Sequence, residues 1–229
     1  NLYYGCLKHT PHKWLDLLTL FERHILPSIL HAQEGQRTTT SLLPLAIKYF
    51  TAPIIPSVAH SEDSVSSQAR YHTALNKLHG DRIELIKGYY AVQPMQVRLI
   101  NSEHTDIAPR LCESRLAWKI EEKQSDVSLA LHAYHDAMTG CVDQVVIVTN
   151  DTDIAPCLQM IRRYTPIIVG LVIPTTNHSR RPNTDLANQA HWVRTHIRPD
   201  ELAASQMPRV IPGRKPTIKP DSWYGQPEL

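Results

Sequence analysis

Three aspartates have the spacing that metal-assisted phosphate chemistry would use. Asp151 and Asp153 directly follow the apolar run 145–148 and precede the helical spacing of Ile154, Leu158 and Ile161. Asp126 opens the preceding helical segment, marked by Val127, Ala130, Leu131, Tyr134, Ala137 and Met138 with Gly140 placed to cap it. In an open parallel sheet, ligands bind at the carboxyl ends of the strands, so these acids can meet although Asp126 and Asp151 are far apart in the chain. Clustered carboxylates repel unless a cation neutralises them, and hard oxygen ligands suit Mg²⁺ or Mn²⁺. Such an ion activates water and stabilises charge on a phosphate. Each acid taken alone is equally well a helix N-cap.

The elements that must position these residues alternate in type. The spacing predicts a helix over 15–30 bent at Pro27, a strand over 45–51 and a helix over 68–78. It then predicts strands over 83–92, 116–121, 145–148 and 167–173. Residues 93–115 show no clear period. Apolar strands separated by helices imply an α/β fold with a mostly parallel sheet covered on both faces. The segment after Met207, rich in proline and basic side chains (Arg209, Arg214, Lys215, Lys219), reads as an extended tail over 208–229.

Composition excludes more than it selects. A 229-residue chain with 42% hydrophobic and 20% charged residues suits one globular domain, and no apolar run is long enough to span a membrane. A net charge of +2 does not announce a nucleic-acid binder. Cys6, Cys112, Cys141 and Cys157 are scattered, as free thiols of a cytoplasmic protein would be, and no secretion signal is seen.

The segments EEKQSDVSLALHAYHDA and QVVIVTNDTDIAPCLQMI resemble the bacterial NYN family of PIN-like nucleases. The family's E-K-x-x-D-V-x-L-A run matches Glu122, Lys123, Asp126, Val127, Leu129 and Ala130. Its S/T-x-D-S/T-D run matches Thr149, Asp151, Thr152 and Asp153. The opening NLYYG looks like the end of the first-strand motif, in which Asp-Gly-x-Asn precedes Leu-Tyr-Tyr-Gly, and Asn1 takes the place of that Asn. The motif's Asp, with most of the first central strand, would then lie ahead of Asn1. The resemblance covers residues 1–207.

It implies a PIN-like three-layer α/β/α sandwich with a mostly parallel central sheet, and RNA hydrolysis by one or two Mg²⁺ or Mn²⁺ ions held by Asp126, Asp151 and Asp153. Asn1 would orient a ligand or the phosphate, Thr149 or Thr152 would position an Asp, and Lys123 would offset phosphate charge or pair with Glu121 or Glu122. Arg162, Arg180 and Arg181 are further phosphate-binding candidates or solvated surface. RNA is the expected partner, and pairing into a homodimer is common in such domains. Two alternatives accompany this reading. Some relatives with the same motifs are described as pyridine-ring hydroxylases using a reduced nicotinamide, although no Gly-x-Gly-x-x-Gly turn is present. A non-catalytic RNA-binding domain is the other.

Two weaker clusters remain. His132, His135 and Asp136 share a helix face, and Cys6, His9 and His12 recur every third residue; a polar helix face and a ligand set lacking its fourth member are the plainer accounts. Tyr3, Tyr4 and Trp192 are suited to stacking on bases or to packing.

Overall fold

The computed structural model describes residues 1–29, 39–100, 106–177 and 180–224, together with the backbone of 32–33 and 36–37. The period-free segment 93–115 falls partly outside these residues, as does the end of the expected tail. The fold is mixed α/β. Its strands are β1 (Ile47–Thr51), β2 (Ile83–Lys87), β3 (Tyr89–Arg98), β4 (Ser114–Lys123), β5 (Gln144–Val148), β6 (Ile168–Val172) and β7 (Trp192–Arg194), followed by the short β8 (Val210–Ile211) and β9 (Thr217–Ile218). The helices α1 (Ser64–His79), α2 (Ser125–Met138), α3 (Ala155–Tyr164), α4 (Thr184–Ala187) and α5 (Pro199–Ala204) run between them.

The parallel strands form two pieces. β1 pairs with β2, from Ile47 opposite Ile83 to Thr51 opposite Lys87. β5, β6 and β7 form a three-stranded parallel sheet in that order. Among the described residues no hydrogen-bonded pairing joins β1 to β5, so the strands stand as separate sheets rather than as the single central sheet the sequence suggested.

After Gln144, β5 and β6 are apolar because both of their faces are covered. Val145, Ile147, Val169 and Leu171 pack with Ala133 and Ala137 of α2 and Leu158 and Ile161 of α3. Val146, Val148 and Val172 point the other way, into a cluster with Trp14, Leu15, Leu20, Ile25, Tyr71 and Leu75. That second layer comes from the helical stretch 17–28 and α1. Pro27 is accommodated in its closing turn, Leu26–Ser28, where a missing N–H costs little.

Close packing fixes two glycines. A Cβ on Gly170 would lie 2.0 Å from the Trp192 ring, so β6 needs glycine for Trp192 to cross it and donate from Nε1 to Gln144 Oε1 at 2.7 Å. A Cβ on Gly5 would lie 1.7 Å from the Pro174 carbonyl oxygen, so the helical turn Tyr3–Leu7 rests directly on the chain leaving β6. Arg194 at the end of β7 clamps this region. It donates to both oxygens of buried Glu201 on α5, at 2.5 and 2.6 Å, and to Ser28 Oγ at 2.7 Å.

The segment after Met207 packs back onto the domain through Tyr224. Trp14 Nε1 donates to Pro208 O at 2.9 Å, β8 pairs antiparallel with β9, and the Trp223 ring meets Trp14 at 6.0 Å. Its basic residues are partly engaged there, with Lys219 and Arg209 both over the Tyr224 ring.

Candidate active site

Local sequence brings acids and aromatics to one end of a cavity. After β5 the chain turns at Thr149, which is fully buried and whose Oγ1 accepts from Asp151 N–H at 3.0 Å. Asp151 in turn caps the next helical turn, accepting from Asp153 N–H at 3.1 Å. Asn150 fixes the outside of this loop by donating to Arg181 O and accepting from Asn183 N–H. Asn1 reaches the same point from the other side, donating from Nδ2 to Thr149 Oγ1 at 3.1 Å.

Asp126 arrives by a different route. β3 and β4 form a ten-residue antiparallel ribbon in which Tyr90 stands opposite Glu122. Gln124 then takes a left-handed conformation (φ 77°), which costs an L-residue about 1–2 kcal/mol and turns the chain sharply into α2. Ser125 Oγ donates to Glu122 Oε1 across that turn. The turn leaves Glu122 and Asp126 on the same cavity wall. Desolvation raises the Asp126 pKa above the ordinary carboxylate value, and the charges of Asp151, Glu122 and Asp153 raise it further. Burial and the neighbouring Glu122 and Tyr4 raise the Tyr90 pKa, while burial and Tyr4 raise that of Tyr3.

An open cavity of about 1960 Å³ runs between β1 and β5, both of which line it. Small-molecule sites usually occupy roughly 300–1,000 Å³, so a ligand fills only part of it. Asn1, Tyr3, Tyr4, Tyr90, Glu122, Asp126 and Asp151 gather at the acidic end. A carboxyl group of raised pKa among phenols can take a proton from a weakly acidic hydroxyl, and the phenol faces can stack on an aromatic ring.

Asn1, Thr149, Asp151 and Asp153 meet at the end of β5, and the Asp126 carboxyl feels the charges of Asp151 and Asp153 there. Thr152 is exposed on the turn after Asp151. Arg181 and Arg180 lie beside the strand-end loop: the Arg181 carbonyl holds Asn150, and the Arg180 charge reaches Cys6. Lys123 does not join the group. It alternates with Glu122 along β4 and pairs with Glu121 at 2.8 Å. Arg162 sits near the far end of α3, donating to Asn188 O at 2.6 Å.

The weaker clusters do not assemble either. Asp136 is taken by Lys48 at 2.6 Å, and burial pushes the Cys6 thiol up to about 12. All four cysteines are free, and among the described residues no helix is long and apolar enough to cross a membrane. Tyr90 escaped the sequence reading, and so did its place beside Glu122, because only the ribbon register, invisible in composition, sets them together.

No family model matches the chain. Over its whole length it is 66% identical to a Pseudomonas putida (strain DSM 28022 / S16) protein described as 6-hydroxy-3-succinoylpyridine 3-monooxygenase HspA, covering 74% of that protein. A solved structure of a protein of unknown function from Vibrio parahaemolyticus RIMD 2210633 aligns at TM-score 0.34 and 18% identity, over 65% of this chain and 67% of that one. That likeness carries no argument.

The first comparison overturns the ribonuclease expectation. So similar a relative is named for oxygenation, not for phosphodiester hydrolysis. The expectation of Mg²⁺ or Mn²⁺ held by Asp126, Asp151 and Asp153 falls with it, because among the described residues no three His, Cys, Asp or Glu side chains converge to hold a metal. Burial, followed by the charges of Asp151, Glu122 and Asp153, instead raises the Asp126 pKa.

Proposed function

Since the chain belongs to the family of 6-hydroxy-3-succinoylpyridine 3-monooxygenase HspA, we propose that it oxygenates a hydroxypyridine ring, with Asp126 as the base that takes the ring hydroxyl's proton. The observation that supports this reading is Asp126 itself: a carboxyl of raised pKa at the aromatic end of the cavity. Positions 3 and 6 of a pyridine are para to each other. Removing the proton of a 6-hydroxyl therefore places negative charge on carbon 3, the carbon that oxygen enters in the relative's reaction; that carbon carries the acyl group, so the C3–O bond forms, the C3–acyl bond breaks, and the acyl group passes to water as a carboxylic acid. A carboxylate repelled by Asp151 and Glu122 is a stronger base than an ordinary one, which brings its pKa closer to that of the hydroxyl.

Asp151 and Glu122 act on Asp126 by charge. Tyr3, Tyr4 and Tyr90 offer ring faces on which an aromatic substrate can stack. Asn1 and Thr149 hold the loop that carries Asp151.

A monooxygenase delivers one atom of O₂ to its substrate and releases the other as water, which requires two electrons from a reductant. Reduced nicotinamide supplies such a pair. The helix terminus after β5 does not fit its pyrophosphate. Asp151 already caps that terminus and Asp153 stands beside it, where a bound phosphate would need free N–H groups and no negative charge. Electron delivery is therefore not a task of this terminus.

Replacing Asp126 by Asn in the full-length protein keeps the shape and removes the base. Hydroxylation should fall by about 10²–10⁴-fold while substrate still binds. The wild-type protein should also leave the analogue without the 6-hydroxyl unreacted. Undiminished turnover by Asp126→Asn would refute the assignment.

A further inference from the structure

The opposite requirement, a cation for an anionic substrate tail, is met on the same helical turn. Tyr4 and Lys8 are four residues apart on the turn Tyr3–Leu7, whose closing N–H, from Lys8, donates to Tyr3 O at 2.8 Å. That spacing puts the two side chains on one face, and Lys8 Nζ lies 5.3 Å from the centroid of the Tyr4 ring. Both residues line the cavity. Lys48, another lysine of the wall, is neutralised by Asp136 at 2.6 Å. Lys8 has no carboxylate partner within ion-pair distance among the described residues.

Asn1 begins this stretch of chain, bound to Thr149. Lys8 follows seven residues later, just past the turn Tyr3–Leu7. The succinoyl group named for the relative is a four-carbon chain ending in a carboxylate. Summed bond lengths of about 1.2–1.5 Å put that carboxylate roughly 10 Å from the 6-hydroxyl oxygen. A molecule with a weakly acidic hydroxyl and a carboxylate thus matches a wall that carries both a carboxyl base and an unpaired ammonium.

Resting on the hydroxypyridine reading above, we propose that Lys8, braced against the Tyr4 ring, is the subsite that binds the carboxylate of the substrate's acyl tail. The Tyr4 face holds the ammonium in place by cation–π attraction and leaves its N–H donors for the carboxylate. Lys8 is then a specificity residue: it selects acid-tailed hydroxypyridines over neutral ones and takes no part in the oxygenation itself.

Calorimetric binding of two ligands to the full-length protein tests this. One is 6-hydroxy-3-succinoylpyridine and the other is 3-acetyl-6-hydroxypyridine, which keeps the ring and ketone but lacks the carboxylate. Lys8→Met should weaken binding of the first about 10- to 100-fold, the range of a charge-assisted contact, and leave the second within about 2-fold. Lys8→Arg should restore most of the loss. Retained affinity for the neutral ligand also reports that Lys8→Met is folded. Equal weakening for both ligands, or for neither, overturns the subsite while leaving the hydroxypyridine reading intact. Wild-type protein that binds neither ligand overturns both.

Discussion

Replacing Arg194 by Met should destabilise the protein sharply, and the size of the effect follows from its contacts. Arg194 makes five hydrogen bonds: to His196 O at 3.1 Å, His24 O at 3.2 Å, Ser28 Oγ at 2.7 Å, and both Glu201 oxygens at 2.5 and 2.6 Å. Glu201 is only 2% exposed, so truncating Arg194 strands a buried carboxylate. Breaking such a pair from one side costs about 3–5 kcal/mol. Arg198 keeps part of the compensation, through its N–H at 2.9 Å and its guanidinium at 3.3 Å, which puts the expected loss near the lower bound, about 3 kcal/mol. For a domain of this size that is roughly 6–12 °C in Tm.

The double variant Arg194→Met, Glu201→Leu removes both charges and should return to within about 1 kcal/mol of wild type. Urea unfolding of the four proteins measures the cycle. A single-variant loss below about 1 kcal/mol, or a double variant as unstable as the two singles summed, would refute the reasoning. The clamp also serves the site. Ile173 N–H donates to Arg194 O at 2.9 Å, and Ile197 N–H to Thr175 O at 2.8 Å, on either side of the Pro174 that supports the Tyr3–Leu7 turn.

Two further outcomes are expected. Burial, aided by the Lys87 charge, lowers the His72 pKa from 6.5 to about 4, so the stability it carries is complete above pH 6.5 and is lost as pH falls towards 4; melting curves across that interval should show a decline of up to about 3 kcal/mol, lessened by the ring's partial exposure, that is absent in His72→Phe. Gly170→Ala drives a methyl into the Trp192 ring, which its bond to Gln144 holds in place; a loss of about 3 kcal/mol is expected, largely recovered by adding Trp192→Leu, and a neutral single variant would show that the ring can move aside.

The sequence disclosed elements with a strong apolar period and concealed those without one. The helix read over residues 127–138 is observed as Ser125–Met138, and the strand over 167–173 as Ile168–Val172. Both are buried on at least one face, and burial writes the period. The ribbon was partly missed because Gln93, Met95 and Gln96 are exposed, so that no burial disciplines their alternation. The single strand read over 83–92 is two strands, β2 and β3, which belong to different sheets.

The acid group itself was legible, since strand ends and helix starts are marked by residue type. Its chemistry was not. Three neighbouring aspartates serve a metal ion or a proton transfer equally well, and residue type does not record which. Lys123 shows the same limit: its match to a motif said nothing of the face of β4 it occupies, and it pairs with Glu121 instead.

The origin of the oxygen atom in the product tests the central claim most directly. Full-length protein is supplied with 6-hydroxy-3-succinoylpyridine, reduced nicotinamide and ¹⁸O₂, and the product ring is examined by mass spectrometry. A monooxygenase with Asp126 as its base predicts one ¹⁸O on the ring carbon para to the original hydroxyl, in place of the acyl chain released from that carbon, and none on the ring when the label is carried by water. It also predicts that Asp126→Asn forms little of that product. A ring that acquires no oxygen from O₂, in a preparation that binds the substrate, would contradict the account.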